Sequence, residues 1–162
     1  MRMTKMIGNV SNMVTSSQTE SVSREIVIDR ANTSDIPSRS MIRDWVELAS
    51  EESQGDVFLN FVTSDESRRL NQAFRNIDEP TNVLSFPAQH DDVLGDVAIC
   101  LDIAKAQAEA QDVSLDSHLA HLVIHGVLHL RGFDHVDDED AIDMERKEVA
   151  LLKSIGVANP YE

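Results

Sequence analysis

Three histidines in the C-terminal half of the sequence have the spacing of a metal site. The string H-x-x-x-H-x-x-G-x-x-H runs from His125 through His129 and Gly132 to His135. Histidines four residues apart lie on one face of a helix, and a glycine that ends the helix lets a third imidazole come beside them. Three neutral imidazoles leave a fourth position open on Zn²⁺, which is typical of a catalytic site. The spacing therefore predicts one Zn²⁺ that activates water at neutral pH.

The other histidines and an aspartate near this motif have plainer interpretations. His118 and His121 share the predicted helix, but a histidine on an apolar helix is more often a hydrogen-bonded residue of the core or its rim. His90 lies in a polar stretch and is interpreted as a solvated residue. Asp134 either orients a neighbouring imidazole or caps the turn after the helix.

The same spacing occurs in metzincin proteases, where the second motif position is a glutamate that acts as general base. In this chain that position is Gly126, which cannot move a proton. Either another group takes the proton, or the reaction is not peptide hydrolysis. The motif therefore predicts a metal without deciding the reaction.

The elements that must position these histidines follow from the apolar periodicity of the chain. Apolar runs and alternation predict four strands, at Glu25–Asp29, Gly55–Val62, Asn82–Phe86 and Leu94–Leu101. Stripes of helical period predict helices at Ser38–Ala49, from Thr63 or Ser64 to Phe74, and at Asp102–Gln111, Leu115–Arg131 and Asp138–Ile155. Four strands and about five helices make an α+β or α/β domain around one small sheet, with the apolar histidine-bearing helix largely buried.

Composition sets further bounds on the protein. The 162 residues fit one domain, and 41% hydrophobic residues supply a core. No run approaches the roughly 18 apolar residues of a membrane span, which excludes an integral helical membrane protein. The one cysteine, Cys100, excludes an intramolecular disulfide and a Cys-rich zinc module, and it is compatible with the cytosol. Residues 1–22 lack a periodic apolar pattern and predict a flexible extension before a single domain over 23–162.

Several segments carry the signatures of a known family. They read HGVLHLRGFDH at residues 125–135, PTNVLSFP at 80–87 and LGDVAIC at 94–100. They resemble the H-G-x-L-H-L-x-G-[aromatic]-D-H, P-T-N-V-L-S-F-P and L-G-D-[ILV]-x-I-[CS] signatures of the YbeY endoribonucleases, and the likeness runs from about Glu25 to Tyr161. These are bacterial metal-dependent enzymes implicated in ribosomal RNA maturation and ribosome quality control. Arg131 departs from the family's frequent leucine and adds a positive charge near the predicted metal.

This resemblance implies a fold, a site and a function. The implied fold is α+β, with a small mixed four-stranded sheet flanked by helices. The histidines of the motif, His125, His129 and His135, carry over as zinc ligands, and Arg75 carries over as an arginine of the substrate cleft. The implied activity is zinc-dependent hydrolysis of single-stranded ribosomal RNA, in the cytoplasm. Two alternatives remain open: a zinc hydrolase of another class, such as a peptidase, and a ribosome assembly factor with a structural metal.

An RNA substrate has to be reconciled with a net charge of −15, which argues against generic binding to nucleic acid. We therefore expect weak binding of free RNA, with specificity from a ribosomal or ribosome-associated protein. A local positive cleft is expected from four arginines, Arg68, Arg69, Arg75 and Arg131, with the acidic last helix facing elsewhere.

Three side chains of this predicted site have two interpretations each. Arg75 binds a phosphate or forms a surface ion pair with Asp78 or Glu79. Asp96 supports the site by a hydrogen bond or begins a turn, and Ser85 contributes its hydroxyl or forms a turn.

Overall fold

The structure, a computed structural model, describes residues 24–29 and 35–162 and shows five helices and one four-stranded sheet over those residues. The elements in chain order are β1 (Ile26–Asp29), α1 (Arg39–Ser50), β2 (Asp56–Val62), α2 (Ser64–Arg75), β3 (Val83–His90), β4 (Val93–Cys100), α3 (Leu101–Gln111), α4 (Leu115–Leu130) and α5 (Asp138–Ser154). The predicted α+β class is confirmed. The predicted extension, residues 1–22, lies outside the described residues, so the domain boundary at residue 23 stays a prediction.

The sheet is mixed, with the strand order β1-β2-β4-β3. The β1–β2 and β2–β4 pairs are parallel, whereas β3 and β4 form an antiparallel pair. Parallel neighbours need a long crossover connection, which α1 supplies between β1 and β2. The sheet of the implied family fold is therefore present, with β3 at one edge.

Strand β3 is longer than the predicted Asn82–Phe86, because it continues through Pro87 to His90. Proline cannot donate to a neighbouring strand, and for that reason the sequence indicated a loop at this point. An edge strand tolerates proline because one side of it needs no hydrogen-bond partner. The edge position of β3 thus explains the difference.

Helix α4 lies at the centre of the fold. It packs against β3 and β4 and also contacts α1, α3 and α5, which explains why it is apolar on nearly every side. Gly126 allows its close approach to the sheet, since a Cβ there would lie 2.7 Å from the Val97 Cγ1 atom. The Ser85 hydroxyl on β3 donates to the Gly126 carbonyl at 2.8 Å. None of the described helices has both the length and the apolarity to cross a membrane.

Candidate metal centre

His125 and His129 lie one turn apart on α4 and face the same cleft. Ser114 caps the N-terminus of the helix, and its hydroxyl accepts from the Ser117 backbone N–H at 3.1 Å. The two Nε2 atoms of His125 and His129 are 3.1 Å apart, and both imidazoles are half-buried. The helical spacing predicted from the sequence thus brings two ligand atoms to one point.

The end of α4 turns the chain so that His135 returns beside the other two histidines. The Phe133 N–H donates to the Leu128 carbonyl at 3.0 Å and the Gly132 N–H to the His129 carbonyl at 3.0 Å, a Schellman pattern. Gly132 has a φ of +98°, a conformation that glycine adopts without a steric penalty. The Asp134 carboxylate then accepts from the His135 backbone N–H at 2.7 Å, so Asp134 caps the turn, one of its two predicted roles.

The three imidazoles have a geometry that fits one metal ion. His135 lies with its ring centroid 5.8 Å from that of His125 and 5.0 Å from that of His129. One nitrogen from each ring lies within 4.8 Å of the others. Nitrogens at 2.0–2.1 Å from a tetrahedral ion are about 3.3 Å apart, close to the observed 3.1 Å between His125 and His129. These residues open onto a cleft of about 580 Å³ between α4 and β3.

Glu148 of α5 determines which nitrogen of His125 faces the cleft. Its side chain is fully buried, and its Oε1 accepts a hydrogen bond from the His125 Nδ1. Burial raises the pKa of Glu148, but hydrogen bonds from His121 and His125 outweigh burial and lower that pKa to about 2. Because an ionised carboxylate only accepts, Nδ1 carries the proton and Nε2 presents its lone pair to the cleft.

Two further contacts complete this network around the three histidines. The Tyr161 hydroxyl donates to the Glu148 Oε2, and the His121 Nε2 lies 3.4 Å from the same oxygen. Burial, followed by the neighbouring Glu148, raises the pKa of Tyr161, so the hydroxyl keeps its proton and remains a donor. Burial and the adjacent His125 and His135 lower the pKa of His129, which favours the neutral imidazole that metal binding requires.

A second group of possible ligands, His121, His125 and Glu148, is less suited to an ion. Glu148 is fully buried and already bonded to His125 and Tyr161, so its carboxylate is engaged within the protein and does not face the cleft. The His118 Nε2 contacts the Gln107 side chain at 2.9 Å. His118 and His121 are therefore hydrogen-bonded core and rim residues, as their positions predicted. His90 is exposed, in line with a solvated residue.

Arg75 is the last residue of α2 and lines the same cleft as the three histidines. The loop that follows is bonded back to the helix, because Ser67 exchanges hydrogen bonds with the Thr81 backbone and the Asn71 amide donates to the Glu79 carbonyl at 2.8 Å. Among the described residues, the Arg75 guanidinium has no ion pair or hydrogen bond.

The alternative role predicted for Arg75 was a surface ion pair with Asp78 or Glu79. Arg68, not Arg75, forms the ion pair with Asp78. Arg68 holds Asp78 with two bonds of 2.7 and 3.0 Å, and Glu79 forms no ion pair among the described residues. The guanidinium of Arg75 is therefore free to bind a ligand in the cleft.

The prediction that four arginines form one positive cleft was wrong for three of them. Arg68 and Arg69 line a separate hollow beside α2. Arg131 turns towards α1, where its guanidinium donates to the Ala49 carbonyl at 2.8 Å and to the Ser53 hydroxyl at 3.1 Å. No residue of α5 lines the cleft, in line with the expectation that the acidic last helix faces elsewhere, although Asp140 lines a hollow that borders the Gly132 turn. In the described chain, Arg75 is the one arginine or lysine that lines the cleft.

Ser85 lines the cleft, whereas Asp96 lies outside it. Ser85 lies within β3, lines the cleft and ties this edge strand to α4 through the Gly126 carbonyl, so it forms no turn. Asp96 lies within β4 next to Val97, which packs against α4, and neighbouring strand residues point to opposite faces. Asp96 is accordingly exposed on the other face of the sheet, and both of its predicted roles were wrong.

Comparisons with known proteins agree with this geometry. The family model described as Endoribonuclease YbeY matches residues 23–156. The chain belongs to the YbeY family. It is 39% identical over 142 residues to the endoribonuclease YbeY of Methylococcus capsulatus, covering 85% of this chain and 95% of that relative. It is 42% identical over 145 residues to the endoribonuclease YbeY of Pseudomonas putida, covering 85% of this chain and 92% of that relative. A solution structure of a Thermotoga maritima protein is similar, with a TM-score of 0.59 and 29% identity over 82% of this chain and 89% of that one.

Glu148 is a site residue of this YbeY chain that was not among the residues predicted from the sequence. A signal was nevertheless present, because Glu148 occupies an apolar position of α5, four residues after Met144 and three before Leu151, both of which are buried. A carboxylate at such a position is buried only when it is paired. The sequence did not identify its partner, because His125 lies 23 residues away on another helix.

The hydrogen bond between His125 and Glu148 predicts that Glu148 contributes measurably to metal binding. Glu148→Gln keeps the shape of the side chain but removes the charge that favours a protonated Nδ1 on His125. Such partners of metal ligands typically contribute about 10- to 100-fold in metal affinity. We expect a loss of that size in zinc affinity, measured by competition with a chromophoric chelator. The control is Glu145→Gln, an exposed residue of the same helix, and equal affinities for the two variants would contradict the role of Glu148.

Proposed function

We propose that this YbeY chain is a zinc-dependent endoribonuclease specific for single-stranded RNA, acting in ribosomal RNA maturation and ribosome quality control in the cytoplasm. The observation that carries the proposal is the convergence of His125, His129 and His135 in a cleft that Arg75 also lines. The relatives described above are named endoribonucleases, which supports RNA as the substrate.

The residues present fit the metal. Three imidazoles converge, one of them held in the required tautomer by a buried carboxylate, and they line an accessible cleft. His125, His129 and His135 would hold one Zn²⁺, which when bound supplies a Lewis acid for a phosphoryl oxygen and for water.

The side chains of the cleft bind and orient the substrate. The Arg75 guanidinium is planar, always charged and unpaired among the described residues, so it can hold a phosphate through two parallel hydrogen bonds and stabilise negative charge that develops there. Glu148 and Tyr161 keep His125 in place through buried hydrogen bonds.

The packing of Gly126 distinguishes this site from the active site of a metzincin peptidase. The position that holds the general base in metzincins lies against β3 and β4, where a Cβ would meet Val97 and Ser85. A side chain at this position would require Val97 to shift, so the packing as well as the chemistry of glycine disfavours a proteolytic base here. This packing supports the nuclease over the peptidase.

The net charge of the protein supports the proposal that a protein partner delivers the RNA substrate. One arginine in the cleft and a net charge of −15 give little attraction for free RNA, and the hollow beside the cleft is lined by three aspartates and one arginine. A ribosomal or ribosome-associated protein would supply the specificity. Tight, salt-insensitive binding of naked RNA would contradict this part of the proposal.

The proposal is tested by digestion of three substrates with the zinc-loaded protein. We expect cleavage within a single-stranded RNA oligonucleotide, little cleavage of the same sequence in a duplex, and none of casein. Chelation should stop the reaction, and added Zn²⁺ should restore it. Casein digestion without RNA cleavage would favour a peptidase. A folded metal-ligand variant that still supports ribosome maturation would favour a structural metal.

A further inference from the structure

Phe74, the residue before Arg75, exposes its ring to an unusual degree. The side chain is 66% exposed, and only Val136 exceeds it among the large hydrophobic residues that the structure describes. Phe74 lies in the last turn of α2, and the loop after this helix is bonded back to it through the Ser67 and Asn71 side chains. The helix end therefore presents an apolar ring and a free guanidinium from adjacent residues.

Phe86 packs against the exposed ring of Phe74. The two ring centroids are 4.9 Å apart with an interplanar angle of 63°, an edge-to-face contact that stabilises this orientation of the Phe74 ring. Phe86 lies on β3 between Ser85 and Pro87, and both of these neighbours line the cleft. The aromatic pair is thus separated from the cleft by the width of one edge strand.

An aromatic ring beside a phosphate-binding arginine has a chemistry suited to a nucleotide. Proteins that bind single-stranded nucleic acid combine cationic groups for the backbone with aromatic faces on which bases stack. A base in a duplex has both faces covered by its neighbours, whereas an unpaired base is free to stack on a side chain. Arg75 and Phe74 provide one group of each kind on consecutive residues.

We propose that Phe74, supported by Phe86, is a stacking subsite for the base of a nucleotide next to the phosphate that Arg75 binds. The inference rests on the proposed function, and it adds a reason for the preference for single strands. The subsite reads the flat face of the base and therefore tolerates any sequence.

The test replaces the ring while keeping its apolar bulk. Phe74→Leu retains an apolar side chain but has no aromatic face, and Phe74→Tyr retains the face. Binding of a fluorescent single-stranded RNA by the zinc-loaded protein is followed by anisotropy in the first seconds after mixing, together with KM and kcat for cleavage. For Phe74→Leu we expect Kd and KM to rise about 5- to 150-fold with kcat little changed, the range that corresponds to ~1–3 kcal/mol for one stacked base. Phe74→Tyr should bind like the unchanged protein.

Two controls separate stacking from other causes. Ile142→Ala removes an exposed apolar side chain from α5, outside the cleft lining, and should leave Kd and KM unchanged. An oligonucleotide series with one abasic position should contain a member for which the unchanged protein and Phe74→Leu bind equally, because the stacked base is then missing.

The outcomes distinguish this inference from the proposed function. Equal Kd values for the unchanged protein and Phe74→Leu, or no measurable binding of the RNA by the unchanged protein, would overturn the subsite, and equal Kd values would leave the ring available for a protein partner. Weaker binding by Phe74→Leu without any RNA cleavage by the unchanged protein would support the subsite and reject the proposed activity.

Discussion

His129→Ala is expected to abolish both bound zinc and RNA cleavage, with a fall in kcat/KM of at least about 1,000-fold. His129 is a proposed ligand whose Nε2 lies 3.1 Å from the His125 Nε2, and without it two of the three imidazoles remain. A catalytic zinc site needs three protein ligands, and the ion supplies several kcal/mol of transition-state stabilisation. Zinc content by elemental analysis and cleavage of a labelled RNA oligonucleotide are the measurements.

The matched control for this variant is His90→Ala, which removes an exposed histidine that does not line the cleft. It should retain the zinc content and the activity of the unchanged protein. Thermal unfolding of both variants separates loss of the metal from loss of the fold. Activity that survives in a rigorously metal-free sample would defeat the hydrolytic role of the metal.

Arg75→Ala is expected to lower kcat/KM for RNA by about 100-fold or more while the protein keeps its zinc. Removal of one preorganised donor to a developing negative charge typically costs about 10²- to 10³-fold in kcat. Arg75 has no partner among the described residues, so its replacement breaks no ion pair there, and the stability of the fold should change little. Steady-state cleavage kinetics and zinc content together measure the effect.

Two variants sharpen this experiment. Arg75→Lys keeps the charge but lacks the two-pronged guanidinium, so it should restore only part of the activity. Arg69→Ala removes the same charge from the same helix but from outside the cleft, and it should behave like the unchanged protein. Unchanged turnover of Arg75→Ala with retained zinc would exclude the phosphate role.

Local patterns in the sequence were sufficient to predict most of the fold. Local patterns of apolar residues placed all nine described elements, and most of them are half-buried strands or helices that repeat their apolar residues at a fixed interval. The errors lay at the ends of elements. At Pro87, for example, the sequence does not show that β3 is an edge strand, and only an edge strand tolerates proline. The mixed character of the sheet came from the family resemblance and was confirmed.

The sequence by itself determined the spacing of the three histidines, since His125, His129 and Gly132 act through the geometry of one helix and its end. Only the tertiary structure decided which charges belong to the cleft: Arg75 lines it, whereas Arg131 turns to α1. It also brought Glu148 to the Nδ1 of His125 from another helix. The physical reason is that helical and turn geometry depends on residues a few positions apart. The direction of a long side chain, and the partner of a buried charge, depend on which elements pack together.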